Sequence, residues 1–196
     1  MNKRVHIGNF PPNNTSQYFQ ELAEQQFLHL KYQHNNAITD EDDCRRRYVA
    51  RCRFQKIAQQ VIVQHGQYHL YYDDLRPSNI LVMESDLTVN GVIDWEYTYV
   101  APAEFTYSAP WWLLFESPEA WDLNNFMDRY RPHLQLFLGV LHVHENEQIC
   151  QGSLKESQHL SDRMALSIEN GLFWFCLAAM KSFMFNEIYW TFLDKR

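Results

Sequence analysis

Glycine is scarce in this chain, with six among 196 residues. Phosphate-cradling loops are usually rich in it, so any phosphate chemistry must come from other residue types. Positive charge is also short. Seventeen lysines and arginines against 24 acids give a formal net charge of −7, which argues against a nucleic-acid groove or an anionic membrane surface as partner. Cys44, Cys52, Cys150 and Cys176 form no C-x-x-C pair and no dense cluster, so reduced thiols in or near a core are expected rather than a disulfide framework or a cysteine zinc site. The N-terminus, MNKRVHIGNFPPNN, lacks the apolar segment of a secretory signal. Without one, the Asn13-Asn14-Thr15 sequon is read as chance. Residues 171–193 are strongly apolar, but Lys181, Asn186 and Glu187 interrupt them, and the longest clean stretch is Leu172 to Met180. A spanning helix needs ~20 residues, so a buried amphipathic helix and a cytoplasmic chain are expected.

What is present points to a folded chain. Hydrophobic residues make up 46% and aromatics 15%, enough for a real core, and the length suits one compact domain. Residues 1–15 read as a polar lead-in broken by Pro11 and Pro12, and residues 16–34 as a helix. The run TDEDD marks a helix start, with Thr39 as cap and acids in the first turn. Ala50, Phe54, Ile57 and Val61 then fall on one helical face. Arg45, Arg46, Arg47, Arg51 and Arg53 are expected on a solvated face, paired with nearby acids. From Tyr68 the period changes: YHLYY and NILV read as strands, and NILV–MESD–LTVNGVI as a hairpin. Gly91 would then be a bulge or a point of close approach in the second strand. After Pro102 the chain turns helical. Ser117-Pro118 reads as a helix start, and Leu123, Met127, Tyr130, Leu134, Phe137 and Leu141 form an apolar stripe kinked at Pro132. Residues 161–196 are helical again. The fold class is α+β, a small hairpin embedded in helices.

The chemistry lies at YYDDLRPSNILV, residues 71–82. Asp74-Leu75, three residues, then Asn79, and fifteen residues later Asp94 after GVI, set two carboxylates and an amide around one hairpin. Phosphoryl transfer needs groups that orient the attacking hydroxyl, hold magnesium and neutralise charge. A D-L-x-x-x-N element supplies a carboxylate for the hydroxyl and a hard amide oxygen for Mg²⁺. Asp94 is placed to be a second metal ligand. An ordinary Asp/Asn-rich turn with proline is the bland alternative.

DDLRPSNILV followed by GVIDWE resembles the aminoglycoside phosphotransferase and choline kinase-like family, a branch of the protein-kinase-like fold. The run GVIDWEYTYVAPAEFTYSAPWWLLFESPEAW is similar to members from fungi, and AITDEDDCRRRYVAR and MKSFMFNEIYW are similar to their flanking helices. The resemblance covers roughly residues 16–196 and implies the mostly helical C-terminal lobe, with its catalytic hairpin at about 67–95 and the N-terminal lobe absent. It implies ATP and Mg²⁺ as cofactors, Asp74 as catalytic base, and Asn79 and Asp94 as metal ligands. Arg76 would stand at a phosphate oxygen of the nucleotide or pair with a neighbouring acid. The acceptor would be the hydroxyl of a small molecule not identified by the sequence.

Departures from the family pattern accompany the likeness. Tyr72 stands where the family has histidine, and its hydroxyl could brace the loop. Asp73 stands where glycine is frequent. The residues before Asp74 contain no G-x-G-x-x-G and no lysine in a V-A-I-K-like strand, since Lys31 and Lys56 fall in helical stretches. Half the nucleotide site is therefore not in these residues. The alternatives are a non-catalytic binding module and a truncated gene product. In either case the hairpin around Leu81, Val82 and Val92 is expected to expose apolar surface, where self-association could occur.

Other groups point less clearly. His142-x-His144 beside Glu145 suggests a metal, but the two rings diverge by roughly 200° on a helix, which favours a polar helix end. Among Trp95, Trp111, Trp112 and Trp121, core is expected for all but Trp95. Glu96 and Glu104 would bind a cationic acceptor or serve in structural pairs.

Overall fold

In the computed structural model, residues 15–32, 38–60 and 66–194 are described. Residues 1–14 of the polar lead-in, with the asparagines of the sequon, and Val61 of the apolar stripe lie outside them. The chain forms two compact units: one runs up to Gln67 and resumes at Ser167, and the other is Tyr68–Leu166. The protein is α+β, mostly helical with two small antiparallel sheets.

The first unit opens with α1 (Thr15–Tyr32) and α2 (Glu41–Gln60). Glu41, Asp42 and Asp43 occupy the first turn of α2 as expected. The cap, however, is Asp40 rather than Thr39. Asp40 Oδ1 accepts the Asp43 N–H at 2.8 Å, and the Asp43 carboxylate reaches back to the Thr39 N–H at 3.1 Å. An ionised carboxylate at the positive end of the helix outcompetes a neutral hydroxyl for the orphan N–H groups. Arg47, at 2.8 Å, holds the Asp43 carboxyl below its usual range.

Arginine pairing follows expectation at Arg45 with Glu41, Arg47 with Asp43 and Arg53 with Asp194. Arg51 does not: only 2% of it is exposed. Its guanidinium donates to Gln26 O at 2.7 Å, Arg47 O at 3.1 Å and Asn186 Oδ1 at 2.9 Å, and it lies 4.7 Å from the Phe185 ring centroid. Phe185 in turn packs on Phe54, Phe54 stacks on Phe175 at 4.9 Å, and Phe175 packs on Phe19, all four buried.

The apolar C-terminal stretch is not one amphipathic helix. After α5 (Leu160–Asn170), Gly171 takes a left-handed φ of 86° and starts α6 (Leu172–Met180). Phe173 to Ala179 are all buried, so α6 is enclosed rather than two-faced. The chain breaks again before α7 (Phe185–Ile188), which runs on as a π-helical turn, Tyr189–Leu193. The last carbonyls of α6 lack helical partners, and Gln26 Nε2 donates to two of them, Ala179 O at 3.0 Å and Ala178 O at 3.3 Å. No helix among the described residues is long and apolar enough to cross a membrane.

The second unit holds the sheets. β1 (Tyr68–Tyr72) pairs not with the hairpin but with β4 (Thr98–Pro102), a strand the sequence reading passed over. The expected hairpin forms from β2 (Ile80–Val82) and β3 (Val89–Val92). Its register slips between Leu81 and Val82, leaving Asn90 as the extra residue beside Gly91. Gly91 is thus part of a bulge; a Cβ there would meet nothing within 4 Å, so close approach is not its reason. Leu81 and Val82 are exposed, as are Leu87 at 74% and Val89 at 66%, whereas Val92 is half-buried.

Ser117-Pro118 starts only a single 3-10 turn without a side-chain cap. The long helix α4 begins later, at Phe126, and continues to Cys150 through Pro132. Before it comes the short α3 (Ala103–Tyr107). Trp111, Trp121, Phe126, Tyr130 and Leu134 are buried. The Tyr130 hydroxyl donates to Pro110 O at 2.7 Å, and burial pushes that phenol well above its ordinary range. Trp95 alone of the four expected tryptophans is exposed.

Candidate active site

The end of β1 and the exit of β3 frame the acidic loop. Asp73 and Asp74 follow Tyr72, the Asp73 N–H donates to Tyr97 O at 3.3 Å, and the Leu75 N–H returns to Tyr72 O at 3.3 Å. Pro77–Asn79 then make one 3-10 turn with proline at its start, where its fixed φ suits the turn and its missing N–H leaves no donor unsatisfied. This sets Asn79 immediately before β2 with only 3% of its surface exposed.

The buried amide organises the loop. Asn79 Nδ2 donates to Asp74 Oδ2 at 2.9 Å, to Asp74 O at 2.9 Å and to the Tyr72 hydroxyl at 3.2 Å. With its nitrogen end held by three acceptors, the amide oxygen is the end left to accept or to ligate. Tyr72 then donates its own hydroxyl to Ile93 O at 2.5 Å, and its ring stacks on Trp95 at 5.2 Å. The tyrosine therefore braces the loop through its hydroxyl. Replacing it with phenylalanine is expected to cost about 1–2 kcal/mol, measured by urea unfolding; an unchanged midpoint would show that the brace carries no stability.

Arg76 reaches Asp74 Oδ1 at 3.1 Å, the structural-pair alternative to a phosphate contact. Both Asp74 oxygens are thus held within the loop, one by a guanidinium and one by an amide.

Asp94 arrives from the other strand. The Ile93 N–H donates to Asn79 O at 3.0 Å, so the backbone of the two segments is zipped one residue before Asp94. Asp94 itself is left-handed, with φ 63° and ψ 38°, and heads a 3-10 turn without capping it. Aspartate tolerates this conformation better than most residues. Its carboxylate is exposed and makes no hydrogen bond or ion pair with the described residues.

The structure thus brings Asp74, Arg76 and Asn79 into one bonded loop and sets Asp94 at the same end of the hairpin. It does not gather Asp73, Asp74 and Asp94 into a tight three-carboxylate cluster. No family model, curated protein or solved structure matches the chain.

Of the polar group around Glu145, the sequence reading singled out His142 and Glu145 but not His159. Glu145 is not part of a polar helix end, since 5% of it is exposed. Its partner His159 stands fourteen residues on, beyond any local spacing rule. His144, by contrast, is at the surface, 3.6 Å from Glu147.

Proposed function

We propose that this loop and hairpin serve ATP- and Mg²⁺-dependent transfer of a phosphoryl group to the hydroxyl of a small molecule, with the nucleotide-binding lobe supplied by a further segment or chain. The observation that carries this function is the Asp94 carboxylate. It is exposed, uncapped and unpaired among the described residues, at the hairpin end where Asn79 turns its amide oxygen free. A merely structural aspartate at the head of a helical turn would be expected to cap it.

The donor set suits magnesium, being a hard carboxylate oxygen and a neutral amide oxygen. Bound Mg²⁺ would neutralise charge on the phosphates and on the group in transfer. Asp74 acts as the base. Asn79 holds its Oδ2, so Oδ1 is the atom that accepts the substrate hydroxyl's proton once Arg76 turns from it to a nucleotide phosphate. The hydroxyl oxygen then bonds to the γ-phosphorus, the bond to the β–γ bridging oxygen breaks, and ADP leaves. The exposed apolar residues Leu81, Val82, Leu87 and Val89 offer the nucleotide lobe, or a second copy of the chain, a surface; light scattering that finds only monomer at high concentration would remove the second copy.

Titration with Mg²⁺ or Mn²⁺ tests the metal ligands. Asp94→Ala is expected to weaken binding at least about tenfold, the loss of a charged ligand, while Asp74→Asn leaves it near wild type. Equal affinity in Asp94→Ala and wild type would remove Asp94 from the site. One observation favours a non-catalytic binding module instead: both Asp74 oxygens are already engaged. Metal and nucleotide binding without turnover would decide for that module.

A further inference from the structure

We propose that His142, Glu145 and His159 form a binding site for a divalent transition-metal ion of the zinc class, between α4 and the start of α5. The site is separate from the hairpin acids and stands or falls independently of the function proposed for them. One ligand atom from each of the three side chains lies within 4.8 Å of the other two. Tetrahedral zinc, with bonds of about 2.0–2.2 Å, sets its ligand atoms about 3.3–3.5 Å apart. His159 Nδ1 and Glu145 Oε2 are already 3.1 Å apart. The two imidazoles stand 4.9 Å apart between centroids, close to the spacing of about 5 Å that two rings on one tetrahedral ion would have.

The surrounding bonds are those of a supported metal site. Glu145 Oε1 accepts the N–H groups of Leu160 at 2.6 Å and Ser161 at 3.1 Å, and the Ser161 hydroxyl bonds to Oε2 at 2.5 Å. That fixes the carboxylate yet leaves Oε2 a second lone pair, now facing His159 Nδ1. On the far side of the same ring, His159 Nε2 lies 3.5 Å from Glu156 Oε2, the carboxylate–histidine arrangement that orients a metal-ligating imidazole. His142 Nδ1 rests 3.3 Å from Ser161 Oγ on the exposed side, so it can swing onto an entering ion. Two nitrogens and one carboxylate suit zinc, cobalt or nickel better than magnesium or calcium. In the metal-free protein His159 Nδ1 and Glu145 Oε2 share a 3.1 Å contact at the place the ion would take. Burial opposes the charge on Glu145, but the bonds from Ser161, His159 and the two backbone N–H groups overcome it and keep that carboxyl low.

The test uses the whole chain, stripped with chelator and titrated with Zn²⁺ by calorimetry, then with Co²⁺ by visible absorption. One equivalent is expected to bind, with a cobalt spectrum of nitrogen and oxygen ligands rather than the thiolate bands its free cysteines would give. His142→Ala is expected to lose at least about tenfold in affinity with an unchanged circular dichroism spectrum. His159→Gln is expected to lose more, but it also disturbs the contact that helps fix the Glu145 carboxylate, so His142→Ala decides. Wild-type affinity in His142→Ala, thiolate bands, or no binding by the wild type would each overturn the site.

Discussion

Arg51→Ala is expected to destabilise the protein by about 3–5 kcal/mol, the range for deleting a large buried side chain or breaking a buried charged network. Arg51 is 2% exposed, with three bonds to Gln26 O, Arg47 O and Asn186 Oδ1 and the Phe185 ring against its guanidinium. Burial first, and then Arg47, pull its pKa down to about 10, so it still carries its proton at neutral pH. Alanine removes the charge, the stem that fills the space and the charged donor on Asn186 Oδ1. Arg51→Met keeps most of the volume and is expected to cost about 1–2 kcal/mol, because a well-packed apolar replacement avoids the desolvation of the cation. Urea unfolding of both variants checks the pair of values. An alanine variant within about 1 kcal/mol of wild type would mean that Arg51 is solvated when the chain moves and contributes little.

Asp74→Asn is expected to lower the proposed phosphoryl transfer by about 10²–10⁴, the usual contribution of a positioned general base. The carboxamide oxygen can still accept from Asn79, but the side chain can no longer take the hydroxyl's proton. Stability should fall by less than about 1 kcal/mol, since the pair with Arg76 is partly exposed and such pairs contribute little. ATP consumption in the presence of the nucleotide lobe and an alcohol acceptor, alongside urea unfolding, separates the two effects. Unchanged turnover would remove Asp74 as base. A loss of several kcal/mol would instead mark it as a structural turn residue.

The local elements were legible because their causes are local. The strand YHLYY, the hairpin around MESD and the bulge at Gly91 follow from side-chain alternation and turn chemistry within a few residues. Acids in the first turn of α2 likewise follow from the helix dipole. Neighbour competition was harder to read: Thr39 and Asp40 are both good caps, and the stronger acceptor takes the N–H groups. The helix start at Ser117-Pro118 stopped after one turn, since a cap permits a helix while packing has to sustain it.

By itself, the sequence determined an α+β chain with a hairpin and a loop that sets Asp74 and Asn79 close together in the chain. Only the tertiary structure decided that β1 pairs with a strand twenty-six residues beyond its end, that Arg51 is enclosed while its neighbours are solvated, and that Glu145 meets His159 rather than His144. Each is a contact between residues distant in the chain. Sequence spacing sets which residues share a face, but burial and partner are set by what another segment brings to that face.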